Sequence, residues 1–312
     1  MNPINPKEIR YIKLGGGGSW VQLAFERGEL HFGYRTVSHD LCLRGVQGDW
    51  EAVTRFLTEA GRSLGKARDG VREIRDFYTL GSDCLWITFA EGHLWWAFAE
   101  PEVTWLGMAE DGQGTRMRKT VDGWHKVNIR GEPLRIDDLS TRLTQVAAYR
   151  QTICSVKASD YLLRRINGIE EPVVVRAGEV RSAMIAVATE MIAGLHWADF
   201  ETLADLIFAR AGWQRISRVG GTQADTDLVL EQPTTGETAF VQVKSKAGQA
   251  VLNDYIDRFR RGTYDRLFFI CHSPTGTLSV DDAAGIHIWA GDRLADASVK
   301  AGLFDWLTER SA

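Results

Sequence analysis

Cysteine is scarce and scattered: Cys42, Cys84, Cys154 and Cys271 are the only four in 312 residues, and no pair has C-x-x-C spacing. A zinc ribbon or a dithiol redox centre is therefore not expected. The seven histidines show no H-E-x-x-H spacing, which removes the zinc-protease motif. No uninterrupted apolar run approaches the ~18–20 residues of a spanning helix. The opening Met1-Asn2-Pro3-Ile4-Asn5-Pro6-Lys7 lacks the apolar stretch of a secretory signal. Gly15-Gly16-Gly17-Gly18-Ser19 is rich in glycine, but neither G-x-x-x-x-G-K-[ST] nor a spaced G-x-G-x-x-G leading into a helix is present. A turn between strands is expected there, and nucleotide hydrolysis is not. Nor does the pattern suggest a serine or cysteine hydrolase. A reduced, zinc-free, cytoplasmic protein with no membrane role is the expectation.

Excess positive charge is missing as well. The net charge is −4; residues 1–170 hold 23 Lys/Arg against 22 Asp/Glu, and residues 171–312 hold 14 against 19. Bulk attraction to nucleic acid is thus excluded for the second part, and phosphate contacts have to come from local clusters. Candidates are Arg62, Lys66 and Arg68; Arg116, Arg118 and Lys119; and Arg258, Arg260 and Arg261.

What is present is a pair of short strands carrying an acid, an amide and a lysine. Asp227 opens Asp227-Leu228-Val229-Leu230, and Gln242-Val243-Lys244 closes Phe240-Val241-Gln242-Val243-Lys244. The turn-rich Glu231–Glu237 between them predicts a β-hairpin. Alternation puts Gln242 and Lys244 on one face, and antiparallel pairing brings Asp227 beside them. A carboxylate, an amide oxygen and the Val243 carbonyl are the hard oxygen ligands that Mg²⁺ takes. Lys244 is then placed to act on water or on phosphate.

At these residues the chain resembles the PD-(D/E)xK nuclease superfamily, and within it the Mrr-like branch of restriction endonucleases with its Q-x-K signature. Upstream, Asp199-Phe200-Glu201-Thr202-Leu203 resembles the first helix of that branch, which implies Glu201 as a further metal ligand. Val219–Asp227 resembles its glycine-rich approach to the catalytic aspartate, although Gln223 and Asp225 interrupt the usual Gly-Asp-Gly-Gly run. Whether Asp225 shares the metal with Asp227 stays open. The resemblance covers roughly residues 179–312. It implies catalysis by Asp227, Gln242, Lys244 and Glu201. It also implies Mg²⁺, with Mn²⁺ as an alternative, held by Asp227, Gln242, Val243 and Glu201.

The expected fold class is α+β or α/β in two domains. Residues 171–312 should form a mixed sheet flanked by helices, the restriction-endonuclease-like core, after a break at Glu170-Glu171-Pro172. Its predicted elements are helices 179–195, 199–211, 248–261 and 292–309, a hairpin over 226–244, and strands 266–271 and 286–290. Residues 1–170 read as a β-rich, barrel-like domain, with strands at Tyr11–Leu14, Trp20–Phe25, His31–Tyr34, Cys84–Phe89, His93–Phe98 and Arg116–Thr120 and one helix, Trp50–Leu64. This part weakly resembles EVE and other PUA-like readers of modified bases. Trp95 and Trp96 lie on opposite faces of one strand, so one is expected in the core and the other at a base-binding groove. The expected function is a restriction-type, type IV-like endonuclease acting as a homodimer on double-stranded DNA, modified DNA included. Alternatives are an inactive nuclease fold used for nucleic-acid binding, and an RNA or repair nuclease.

Overall fold

The computed structural model describes residues 2–107, 112–216 and 227–312. The stretch 219–226, and with it Asp225, lies outside the described residues. The chain divides into two compact units, Met1–Glu171 and Pro172–Ala312. Among the described residues, no helix is long and apolar enough to cross a membrane.

The first unit is built on one curled sheet. It begins with β1 (Glu8–Ile12), a single 3-10 turn at Gly16–Gly18, α1 (Val21–Arg27) and β2 (Glu29–Phe32). Three helices follow, α2 (His39–Val46), α3 (Trp50–Glu59) and α4 (Leu64–Thr79). Then come β3 (Cys84–Ala90), β4 (His93–Ala99), β5 (Thr104–Trp105) and β6 (Arg116–His125). The unit closes with α5 (Thr141–Thr144), β7 (Ile153–Ser155) and α6 (Ser159–Ile166). The strand order is β2-β6-β4-β3-β1-β7, with β5 beside β6, so the barrel-like sheet is a half-barrel with two edges. Only β1 and β3 run parallel among the described pairs.

Both faces of this sheet are covered, which explains why its strands are apolar at successive positions. Trp86, Trp95 and Ala97 pack with residues of α1 to α4, whereas Leu85, Ile87 and Trp96 pack with Leu134, Leu143, Leu162 and Ile166. The stretch from Trp20 to Phe25, expected as a strand, is mostly α1. Val21, Ala24 and Phe25 satisfy the helical i, i+3, i+4 spacing, and Gly28 ends the helix in the left-handed region (φ 62°). Helices α2 and α4 have no counterpart among the predicted elements. Gly61-Arg62-Ser63-Leu64-Gly65 spells G-x-S-x-G, but it joins helix to helix with Ser63 at the N-cap of α4. It is no strand-to-helix nucleophile elbow.

Of the two tryptophans and the Arg116–Arg118–Lys119 cluster expected to contact nucleic acid, four residues are buried instead. Trp95 is 9% exposed, stacks on Phe25 at 3.9 Å between centroids, and donates its indole N–H to the Ala90 carbonyl. Trp96 is 3% exposed and donates to the Val127 carbonyl. Arg116 and Arg118 are fully buried. Arg116 donates to the Val37 carbonyl at 2.7 Å and lies over the Trp105 ring. Arg118 donates to the carbonyls of Glu100, Phe77, Ala99 and Gly81. These guanidiniums tie the sheet to the helices above it and are not available to a phosphate. Lys119 alone of the five is exposed. The two ends of the unit are clasped: the Ile4 N–H donates to Asn167 Oδ1 at 2.8 Å, and Asn167 Nδ2 donates to the Ile4 carbonyl at 3.0 Å.

The second unit starts at α7 (Pro172–Ala193), earlier than the predicted 179. Pro172 does not break the helix, because its missing N–H and fixed φ suit the first helical position. The order continues α8 (Trp197–Arg210), β8 (Gln214–Arg215), β9 (Leu228–Glu231), β10 (Thr238–Gly248) and α9 (Gln249–Arg261). It ends with β11 (Arg266–Thr275), β12 (Ile286–Ala290), α10 (Asp292–Lys300) and α11 (Phe304–Ser311). The last two replace one predicted helix, since Gly302 adopts φ 66° between them. The sheet order is β12-β11-β10-β9-β8, parallel across β10, β11 and β12 and antiparallel at β9 and β8. Helices α7, α8, α10 and α11 pack on one face and α9 on the other. This mixed sheet flanked by helices is the expected nuclease-like architecture.

Candidate active site

Strand β10 is covered on both faces. Ala239, Val241 and Val243 enter the core with Phe200, Leu203 and Ile270, while Phe240 enters the other with Leu252 and Phe269. Gln242 breaks that run of apolar side chains, yet it is only 1% exposed. A buried amide needs partners for both of its ends.

The register supplies one of them. Val241 pairs with Leu228, so the next residue back along β9's chain, Asp227, sits opposite Gln242. Gln242 Nε2 donates to Asp227 Oδ2, and the Val243 N–H donates to the same oxygen at 2.6 Å. The N–H and C=O of one residue leave a strand on the same side. The Val243 carbonyl therefore faces the Asp227 edge too. Gln242 Oε1 is buried and has no hydrogen-bond partner among the described residues.

The electrostatics converge on the same place. Burial pushes the Asp227 carboxyl above its ordinary value, against the Val243 N–H bond, the nearby Lys244 ammonium and the Gln242 amide. Burial likewise raises Glu201 on α8, and the charge of Asp227 raises it further, while Arg215 and Lys244 oppose the shift. Two carboxylates that repel each other beside an orphaned amide oxygen fit a hard divalent cation. The donor set fits Mg²⁺ in kind: two carboxylates, an amide oxygen and a carbonyl. Among the described residues, no group of three or more His, Cys, Asp or Glu side chains is arranged to hold a metal. Half-buried Lys244 places its ammonium 5.7 Å from the centre of the Tyr255 ring on α9.

The sequence-predicted Asp227, Gln242, Val243, Lys244 and Glu201 thus come together where the start of β9 meets the middle of β10. Residues 192–298 match the Mrr_cat family, described as a restriction endonuclease. The match covers about a third of the chain and contains every one of these residues. The match supports a restriction-type nuclease domain within the C-terminal unit, and such a domain implies a DNA substrate. Comparisons with curated proteins and with solved structures return no match.

Two neighbours of this cluster carry no sequence signal. Arg215 donates to the Asp227 carbonyl at 3.5 Å and sits on a two-residue strand too short to leave a periodicity. His272 lies edge-on to Phe200, the residue before Glu201, at 4.7 Å between ring centres. Its buried Nε2 has no partner among the described residues. Burial lowers its pKa, which favours the neutral imidazole.

Proposed function

We propose that this chain is a Mg²⁺-dependent endonuclease that selects double-stranded DNA, modified DNA included, and hydrolyses its phosphodiester bonds in the manner of a type IV restriction enzyme. The observation that carries the reading is the buried Gln242 Oε1, without a partner among the described residues, beside the raised carboxyl of Asp227. Asp227, Glu201, Gln242 Oε1 and the Val243 carbonyl would hold Mg²⁺, or Mn²⁺ in its place. Such an ion supplies Lewis acidity at the phosphate and lowers the pKa of the attacking water.

The rest of the chemistry falls to the chain. Asp227 is fixed by two donors from β10, so its carboxylate is held before substrate arrives. Lys244 brings a positive charge to the oxygen on which charge accumulates in the transition state, or orients the water. Partial burial of Asp227 and Lys244 reduces, without removing, the screening of both charges by solvent. Because a duplex has two strands, two copies of the chain are expected to act together on DNA.

Labelled duplex DNA should be cut by the purified chain with Mg²⁺ and left intact with EDTA, and a panel of unmodified, methylated and hydroxymethylated phage DNAs should reveal the preferred class. Intact DNA across the panel, with binding retained, would leave the reading of an inactive nuclease fold. Preferential cutting of RNA would turn the assignment to an RNA nuclease.

Gln242→Glu adds a third carboxylate to the pair. In a metal titration it should bind Mg²⁺ at least as tightly as wild type, whereas its metal-free form should lose roughly 1–3 kcal/mol of stability to the uncompensated buried charge. Weaker Mg²⁺ binding than wild type would remove Gln242 from the ligand set. Affinity should also fall as pH is lowered through the raised carboxyl range of Asp227 and Glu201, because protons then compete for the same oxygens.

A further inference from the structure

The first unit holds a cleft that the nuclease site leaves unused. A hollow of about 970 Å³ lies between the α3–α4 turn and the segment before β7, walled in part by Tyr34, Arg62, Lys66, Glu73 and Arg150. A smaller one of about 340 Å³, bounded by Gly15–Gly17 and Trp20, shares Arg150, Gln151 and Thr152 with it. Both fall within the ~300–1,000 Å³ of ordinary ligand pockets.

We propose that this cleft binds one nucleotide of a DNA strand, its phosphate on Arg62, Lys66 and Arg150 and its base against Tyr34 and Trp20. That the strand is DNA rests on the reading of the second unit as a nuclease; the phosphate and base chemistry of the cleft does not.

The wall carries concentrated positive charge. Arg62, Lys66 and Arg150 are exposed, and none forms a salt bridge among the described residues. Helix α4 begins between Arg62 and Lys66, its N-cap Ser63 makes no side-chain cap, and its first turn carries no acid. The positive end of a helix is thus reinforced by lysine where an acid is the stabilising choice. Glu73, the one carboxylate in the wall, is 1% exposed and already engaged: Oε1 accepts from the Thr152 and Ile153 N–H groups, and Oε2 accepts from the Tyr34 hydroxyl.

The aromatic wall is built at a cost. Tyr34 adopts φ 64°, an unfavourable conformation for a bulky side chain, and Glu73 and the Arg62 guanidinium 5.1 Å from its ring hold it there. Gly70 sits mid-helix in α4, where glycine costs about 1 kcal/mol relative to alanine. A Cβ at Gly70 would lie 2.9 Å from the Tyr34 hydroxyl and 3.2 Å from Arg62 Nη1, so the glycine clears their space. Trp20 is wedged in the same way, with a Cβ at Gly15 falling 2.9 Å from its ring and one at Gly33 falling 3.4 Å from it. A flat, immobilised ring beside a cation cluster is suited to a base next to its phosphate.

The test uses the full chain in EDTA, so that cleavage plays no part, with a fluorescent single-stranded oligodeoxynucleotide as probe. Arg62→Ala/Lys66→Ala/Arg150→Ala should bind at least tenfold more weakly. Its slope of log affinity against log salt should fall by about 0.7, the value for one lost phosphate contact on a single strand. The charge-preserving Arg62→Lys/Lys66→Arg/Arg150→Lys should keep most of the affinity, and Gly70→Ala should lose it by displacing Tyr34 and Arg62. Unchanged affinity and salt slope in the triple alanine variant, or no binding by wild type, overturns the proposal. Displacement of the probe by inorganic phosphate at equal concentration overturns its nucleotide part. If DNA stays intact in Mg²⁺ while cleft-dependent binding persists, the nuclease reading fails and the cleft stands.

Discussion

Asp227→Asn should reduce DNA cleavage by at least 10²–10³-fold while leaving the melting temperature of the metal-free protein equal to or above wild type. The size follows from the ~3–4 kcal/mol that one preorganised transition-state group contributes. The direction in stability follows from the raised carboxyl. Because its folded pKa lies above the unfolded one, this group's contribution to stability is greatest below the unfolded value and is lost as pH rises through the folded value. At neutral pH the ionised Asp227 is a net cost, which asparagine removes. The substituted side chain does not have to accept from both donors: its oxygen keeps the Val243 N–H, and the Gln242 amide can rotate to offer Oε1 to the new NH₂. Lys244→Ala should lose cleavage to a similar extent. Kinetics on duplex DNA beside melting curves would check both, and an active Asp227→Asn would end the site assignment. A strongly destabilised one would make Asp227 a structural residue.

Arg118→Met should destabilise the first unit by roughly 4 kcal/mol or more. Methionine fills much of the volume but donates nothing to the four carbonyls that Arg118 now serves. A buried acceptor left unpaired costs about 1–3 kcal/mol. Burial lowers the guanidinium to about 10, which still leaves it charged at neutral pH. Lys119→Ala, one position along the same strand and exposed, should change stability by no more than about 0.5 kcal/mol. Urea unfolding of the whole chain would separate the two variants. Equal stability in both would mean that the carbonyl contacts of Arg118 carry no weight.

Arg116 and Arg118 also show where sequence reading stops. Charge says that a side chain prefers water, but it does not say that buried carbonyls can replace water around a guanidinium. That substitution depends on β6 lying under α2 and α4, which are far away along the chain. Trp95 and Trp96 pose a similar problem: alternation separates their faces, but only the second cover, from Leu134 to Ile166, decides that neither face is open. The stretch from Trp20 to Phe25 fits both a period of two and the helical spacing, and the packing of Val21, Ala24 and Phe25 selects the helix. Helix α4 is hidden by its many charges and two glycines. The second unit is more legible because its informative pairing is local. The turn between β9 and β10 fixes the register that brings Asp227 to Gln242, and an amide inside Phe-Val-Gln-Val stands out without any knowledge of the rest.

The Ile4–Asn167 clasp has a consequence for synthesis. Its partners are 163 residues apart, whereas Asp227 and Gln242 are only 15 apart. Strand β1 also waits in its sheet for both β3 and β7, so the first unit is rich in long-range closures that form slowly. A chain growing from its N-terminus must therefore release residue 167 before that unit can close, and only later does the hairpin bearing Asp227 emerge. Every ribosome that has produced the Asp227–Gln242 pair has already produced all the residues of the unit preceding it. A chain abandoned early lacks the Asp227–Gln242 pair altogether.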